Sequence, residues 1–113
     1  MTEIQRMAEK EYIIEELIPK FLKLVSSEYD VNRLILYGSY AKGYANSMSD
    51  IDVAVVLNGR NDGGRFAITK NLYKIAQNID LRFEPRCFFI DEIENAESAS
   101  ITAEILKTGI VVN

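Results

Sequence analysis

Two short apolar runs place the strongest constraint on the fold of this chain. Residues 32–37 include Leu34, Ile35 and Leu36 in succession and are followed by Gly38. Residues 51–57 are rich in valine and follow a polar turn at residues 46–49. Apolar runs of about four to eight residues bounded by turn signals are typical of strands that are buried in a sheet. We therefore predict a sheet that contains both runs.

An amphipathic helix is expected before these strands. Across residues 2–27, apolar side chains recur at helical spacing with Glu and Lys between them, which indicates one helix with an apolar face. Thr2 and Gln5 have the spacing of a capping box at its start. Pro19 has no backbone N–H, so it should kink this helix or restart it as a first-turn residue.

The remaining segments complete an alternation of helices and strands. Shorter helices are predicted at residues 39–45, 66–78 and 98–107, and Gly109 would end the last of them so that residues 110–112 pack back. A third strand is predicted at residues 79–84, where apolar and charged side chains alternate before Pro85. This order predicts an α/β (α+β) architecture, a small mixed β-sheet with helices packed on it.

Length and composition fit one soluble domain. The 113 residues are about one domain's worth, so we expect residues 1–113 to form a single domain. An apolar content of 48% argues against disorder, and no apolar run approaches the roughly 20 residues of a membrane-spanning helix. The start of the sequence lacks the apolar segment of a secretory signal. Cys87 is the single cysteine, so no intramolecular disulfide can form, which is typical of the reducing cytoplasm.

Charge and the absence of histidine exclude several classes of chemistry. The 13 Lys and Arg residues are outnumbered by 17 Asp and Glu residues, which gives a net charge of -4. A net negative charge disfavours binding of nucleic acid by overall electrostatic attraction, although a local basic strip is compatible with it. With no histidine, the chain has no Ser-His-Asp triad, no Cys-His pair and no imidazole-bound zinc. Chemistry must then rest on carboxylates, Lys, Tyr, Ser or the backbone.

The candidate site lies in residues 38–52. Gly38 and Ser39 stand where the first predicted strand turns into a helix. Glycine lets the backbone pass close to a ligand, and the free N–H groups of a first helical turn favour an anion, so these two residues form a candidate phosphate cradle. Lys42 follows in the same short helix and could reach a phosphate oxygen or extend into solvent. An ordinary strand-to-helix turn is the alternative interpretation.

Three acids are the candidate metal ligands. Asp50 and Asp52 begin the second strand one residue apart, so both project from one face, about 6.6 Å apart at the backbone. This spacing suits two Mg²⁺ ions about 3.5 to 4 Å apart, which clamp the attacking and leaving oxygens in nucleotidyl transfer. Asp80, on the polar face of the third predicted strand, is the predicted third acid, which would bind metal and accept a proton. Glu84 is the second choice, and Arg82 between them could hold a phosphate or neutralise a carboxylate.

These residues resemble the signature of a known superfamily. Gly38-Ser39, ten further residues and Asp50-Ile51-Asp52 are similar to the Gly-Ser and Asp-x-Asp motif of the DNA polymerase beta-like nucleotidyltransferases, in particular the minimal single-domain (MNT) members. The resemblance implies a nucleotidyltransferase fold, a triphosphate held by Gly38 and Ser39, Mg²⁺ bound by Asp50 and Asp52, and an acidic triad completed by Asp80.

The same resemblance implies a protein partner. Many minimal members act beside a helical HEPN-domain protein as the antitoxin of a toxin–antitoxin pair, and some transfer AMP from ATP onto a tyrosine of the toxin. We therefore expect a Mg²⁺-dependent nucleotidyltransferase that moves AMP from ATP, or NMP from another NTP, onto a hydroxyl of a partner protein. The alternative is a non-catalytic binding module that neutralises a partner by contact.

Overall fold

A mixed sheet is the frame of this structure. The computed structural model describes residues 1–59, 63–97 and 100–112. Within these residues the strands are β1 (Val31–Tyr37), β2 (Ile51–Leu57), β3 (Phe83–Phe89) and β4 (Ile110–Val111), in the spatial order β3-β2-β1-β4. β1 is antiparallel to both β2 and β4, whereas β2 and β3 are parallel. The prediction of a small mixed sheet is confirmed, and β1 and β2 coincide with the two apolar runs.

The N-terminal helix is continuous but changes its hydrogen-bond pattern once. α1 (Glu3–Tyr12) leads through a π-helical turn (Ile13–Leu17) into α2 (Ile18–Ser26). Thr2 and Gln5 form the predicted capping box, with N to O distances of 2.7 and 3.1 Å. Pro19 is a first-turn residue of α2, as predicted, and lies just after the π-helical turn, where the change of hydrogen-bond pattern accommodates its missing N–H. The backbone stays helical on both sides of Pro19, so Pro19 marks this change of pattern and not the start of a separate helix.

Helices cover both faces of the sheet. They are α3 (Gly38–Lys42), α4 (Arg65–Gln77), α5 (Ile90–Glu94) and α6 (Ile101–Thr108). One face packs against α2 and α4 through side chains such as Phe21 and Leu72, and the other packs against α5 and α6 through Ile93 and Ile105. The predicted helices match α3, α4 and α6 within a few residues, whereas α5 was not predicted. Within the described residues, no helix combines the length and the apolar character that a bilayer crossing requires.

The C-terminal segment packs back on the sheet as predicted. α6 follows the cap residue Ser100, and the predicted start at Ser98 lies outside the described residues. Gly109 ends this helix with a φ of -81°, so a left-handed backbone is not the reason for a glycine here. A Cβ at Gly109 would lie 2.4 Å from Cγ2 of Ile35 and 2.5 Å from the carbonyl oxygen of Ile105. The missing side chain therefore lets β4 approach and pair with β1.

The third predicted strand is wrong in its position. Residues 79–82 form a turn after α4, in which Asp80 N–H donates to the Ala76 carbonyl at 3.0 Å and Phe83 N–H donates to the Asp80 carbonyl at 3.2 Å. Leu81, which the alternation placed on a core face, is 78% exposed. The strand begins at Phe83 and continues through Pro85, which is tolerated because β3 lies at the edge of the sheet.

Truncation of Leu81 and of Phe83 to Ala should distinguish the predicted strand at residues 79–84 from the observed strand that begins at Phe83. Phe83 is 1% exposed, and its ring stacks on that of Phe21 with centroids 5.2 Å apart. Phe83→Ala should therefore lower the free energy of unfolding by about 3 to 5 kcal/mol, whereas Leu81→Ala should change it by less than about 0.5 kcal/mol. Urea unfolding of both variants measures these values. Similar losses for the two variants would contradict a strand that starts at Phe83.

Candidate active site

A row of side chains crosses the sheet where β1 ends and where β2 and β3 begin. Tyr37 of β1 pairs in register with Asp52 of β2, and Asp52 pairs with Glu84 of β3. Neighbouring strands lie about 4.8 Å apart, and residues in register share a face. Asp50 comes immediately before β2, two positions from Asp52. The pairing of the strands therefore brings the side chains of Asp50, Asp52 and Glu84 close together.

The carboxylates of Asp50, Asp52 and Glu84 form a cluster that we call the carboxylate triad. Each residue offers one oxygen, and these three oxygens lie within 4.8 Å of one another. Asp50 and Glu84 are exposed, and Asp52 is half-buried. Carboxylate oxygens are the ligands that Mg²⁺ prefers, and such a site usually uses few carboxylates together with substrate phosphates. The donor set and its accessibility therefore fit a magnesium ion shared with a nucleotide.

Burial and the neighbouring charges both disfavour the ionised form of Asp52. Burial raises the pKa of Asp52 to about 6, and the charges of Asp50 and Glu84 push it in the same direction. The half-buried carboxylate loses hydration and faces two like charges, so its ionised form is disfavoured. A divalent cation between the three groups would reverse this penalty because it favours the ionised form of each.

Gly38 brings the strand-to-helix turn against Asp52. Its φ is +73°, in the left-handed region that favours glycine. A Cβ here would lie 2.2 Å from Oδ2 of Asp52, so the backbone meets the carboxylate directly. α3 begins at this residue, and the first N–H groups of a helix have no intrahelical partner. The predicted phosphate cradle of Gly38 and Ser39 thus borders the triad, and phosphate binding there stays a prediction.

Asp80, the predicted third acid, is not part of the triad. Its Oδ1 accepts hydrogen bonds from the backbone N and Nε of Arg82 at 2.9 and 3.0 Å, and its Oδ2 accepts one from Nη2 at 3.0 Å. This pairing with Arg82 holds the pKa of Asp80 below its usual value. The prediction placed Asp80 wrongly because β3 begins later than expected. Glu84, the second choice, is the acid that pairs with Asp52.

Arg82 ties together three segments around the site. Besides Asp80, its Nη1 donates to Oε1 of Glu9 in α1 at 2.8 Å and to the hydroxyl of Tyr40 in α3 at 3.2 Å. Of the two predicted roles, the structure supports neutralisation of a carboxylate, that of Asp80. Arg82 thereby fixes the helix that follows Gly38 relative to the N-terminal helix.

Lys42 faces a different partner from the one expected. Its Nζ lies 3.0 Å from Oε1 of Glu104 on α6, and this hydrogen bond raises the pKa of Lys42 above its usual value. To reach a phosphate at Gly38, the ammonium would leave this exposed ion pair. The predicted phosphate contact of Lys42 stays a prediction.

A groove beside the triad was missed by the sequence analysis. A cavity of about 440 Å³, which we call the edge groove, runs along β3 next to α4. Its lining consists of Tyr37, Arg65, Thr69, Tyr73, Glu84, Pro85, Arg86 and Cys87. Two patterns could have revealed it. Arg86 follows Glu84 at strand spacing, and residues 65, 69 and 73 recur every four positions along one face of α4.

Comparison with known proteins decides the family. The sequence model described as "Nucleotidyltransferase domain" matches residues 18–112, most of the chain. The chain belongs to this nucleotidyltransferase domain family. The protein is therefore a nucleotidyltransferase enzyme, and the triad and the Gly38 turn are features of that enzyme.

Relatives and a solved structure agree with this assignment. "Putative protein adenylyltransferase MJ1379" of Methanocaldococcus jannaschii is 38% identical over 48 residues, which cover 42% of this chain and 48% of that protein. "Putative protein adenylyltransferase MJ0141" of the same organism is 30% identical over 95 residues, which cover 73% of this chain and 93% of that protein. A crystal structure titled as a putative nucleotidyltransferase from Sulfolobus solfataricus superposes with a TM-score of 0.66 at 17% identity, covering 94% of this chain and 85% of that chain. The last likeness supports the fold.

The stability of the metal-free nucleotidyltransferase should depend on the charge of Asp52. Its pKa rises from 3.8 to about 6 on folding, so the folded chain binds this proton more tightly than the unfolded chain does. The contribution of Asp52 to stability is therefore full below about pH 4 and is lost as the pH rises through about 6. Asp52→Asn removes this titration. In urea unfolding with a chelator, wild type should lose stability relative to Asp52→Asn between these pH values. A difference that stays constant across the range would contradict the raised pKa of Asp52.

Magnesium should stabilise the nucleotidyltransferase through Glu84 and not through Asp80. A ligand that binds only the folded chain raises its stability by about 2.7 kcal/mol at a hundredfold excess over its Kd. Glu84→Gln should lose most of the Mg²⁺-dependent rise in Tm because it loses a charged ligand. Asp80→Asn should keep the rise, although its Tm without metal falls because Arg82 loses an ionic partner. Thermal melts across a MgCl2 titration measure both effects, and the reverse pattern would place Asp80 at the metal.

Proposed function

We propose that this enzyme is a Mg²⁺-dependent protein adenylyltransferase, which moves AMP from ATP onto a hydroxyl of a partner protein. The observation that carries the proposal is the carboxylate triad beside the Gly38 turn, which combines a metal-binding cluster with a candidate polyphosphate site. The names of the two Methanocaldococcus relatives support AMP as the transferred group and a protein as the acceptor.

In this proposal, the triad binds the metal and the Gly38 turn binds the polyphosphate. Asp50, Asp52 and Glu84 would hold Mg²⁺, with two ions as the expected number. When bound, magnesium neutralises the phosphates and helps pyrophosphate to leave. The Gly38 turn would bind the polyphosphate through backbone N–H groups, which aligns the α-phosphate with the triad. Positioning and charge stabilisation supply most of the rate in such transfers.

Glu84 is the residue best placed to handle the proton of the acceptor. It lies on the edge strand and is exposed, so a hydroxyl of another protein can reach it. The hydroxyl oxygen attacks the α-phosphorus, the bond to the pyrophosphate oxygen breaks, and the hydroxyl proton passes to the Glu84 carboxylate. We predicted this role for Asp80; because the Asp80 carboxylate is bonded to Arg82, Glu84 takes the role in this proposal.

The partner that we propose is a helical HEPN-type protein, with this chain as the antitoxin of the pair in the cytoplasm. Apolar side chains remain exposed on α1 and on the loop before Asp50, namely Ile4, Met7, Tyr44 and Met48. Exposed apolar groups suit contact with another protein, and Met48 stands two positions before Asp50 of the triad. A free and buried Cys87 is compatible with a reducing compartment.

The transfer can be tested with a double variant that keeps the shape of the site. Wild type and Asp50→Asn/Asp52→Asn would each be incubated with a HEPN-type protein, MgCl2 and each of the NTPs in turn. Wild type should add AMP to the partner, detected by intact mass, and the double variant should not, because neutral amides hold Mg²⁺ weakly. Co-purification should show that both proteins bind the partner equally. If the variant neutralises the partner as well as wild type does, the chain acts as a binding module instead.

A further inference from the structure

Tyr73 places a phenolic hydroxyl beside the carboxylate triad. It stands on α4 next to Leu72, which is fully buried in the core and so fixes the rotation of the helix. Tyr73 and Glu84 line the edge groove together. Burial raises the pKa of Tyr73, and the charges of Glu84, Asp50 and Asp52 raise it further. One hydroxyl is thus within electrostatic reach of all three triad members.

Tyr73 and the Gly38 turn flank the triad from opposite sides. Gly38 follows β1 and touches Asp52 of β2, whereas Tyr73 reaches the triad from the side of β3. Two strand spacings, about 10 Å, separate β1 from β3. A phosphoryl transfer needs the attacking and leaving oxygens roughly in line on opposite sides of the phosphorus. Pyrophosphate at the Gly38 turn would therefore leave away from Tyr73.

We propose that Tyr73 is an acceptor of the enzyme's own reaction, so that the chain attaches a nucleotide to itself. This inference rests on the proposed nucleotidyl transfer. The phenolic oxygen attacks the α-phosphorus of the bound NTP, and the bond from that phosphorus to the pyrophosphate oxygen breaks. Glu84 takes the phenolic proton, and pyrophosphate leaves with the electron pair. The product is a phosphodiester between Tyr73 and the nucleoside.

Other tyrosines near the site are less suited to this role. The hydroxyl of Tyr40 is bonded to Arg82 at 3.2 Å and to the Asn46 carbonyl at 3.4 Å. Tyr37 lies in the row beside Asp52 and immediately precedes Gly38, so it stands on the side of the triad where pyrophosphate would leave and not on the opposite side, where the attacking oxygen is needed. Tyr44 is exposed and is a matched control, since labelling governed by accessibility alone would favour it.

The test uses the full chain without any partner. Wild type, Tyr73→Phe, Tyr44→Phe and Asp52→Asn would each be incubated with MgCl2 and ATP, followed by intact mass and peptide mapping. Wild type and Tyr44→Phe should gain one AMP group, mapped to Tyr73, whereas Tyr73→Phe and Asp52→Asn should gain none. Dilution of the protein should leave the labelled fraction at a given time unchanged, because the acceptor is on the same chain. Mapping on wild type does not depend on whether a variant folds.

Failure of this inference is distinguishable from failure of the proposed function. If wild type modifies a partner protein or binds Mg²⁺ and ATP through the triad, yet Tyr73 stays unlabelled without a partner, self-transfer is overturned and the proposed function stands. Label on Tyr44 or on another exposed residue also overturns it. If neither chain is ever modified and no pyrophosphate is released, the proposed function fails and self-transfer fails with it.

Discussion

The close approach of the Asp50, Asp52 and Glu84 carboxylates is the physical constraint on which the site depends. At an effective dielectric constant near 20, two carboxylates about 5 Å apart repel by about 3 kcal/mol. Asp52 cannot turn away from its neighbours, since Ile51 and Val53 on either side of it are fully buried in the core. Burying one such side chain contributes about 1.5 to 3 kcal/mol. The apolar faces of β2 therefore hold together a cluster that would otherwise separate.

This arrangement links the stability of the fold to its chemistry. A cation in the cluster replaces repulsion by attraction, so binding and folding favour each other. Gly38 adds a second constraint, because its backbone lies so close to the Asp52 carboxylate that a residue with a side chain would clash there. The strand order and the Gly38 turn thus both act on the electrostatics of Asp52.

The sequence predicts those parts of the molecule that depend on local pattern. The valine-rich run gives β2 at its observed bounds, and the spacing from Gly38 to Asp52 gives two of the three triad residues. The third acid depends on where β3 begins, and alternation fits residues 79–84 as well as it fits the observed strand. In the structure, Asp80 accepts hydrogen bonds from Arg82 in the turn before β3. Such side-chain contacts cannot be predicted from the alternation of apolar and polar residues. Lys42 shows the same limit, because its partner Glu104 is distant in sequence.

Pro85 stands directly after Glu84 on the edge strand. An open strand edge next to an exposed acid would invite the backbone of another molecule to pair with it, and such pairing would lead to aggregation. Proline offers no N–H at this edge, which makes it a poor template for a further strand. Glu84 can therefore stay exposed on the edge strand without an uninterrupted row of free backbone N–H groups beside it.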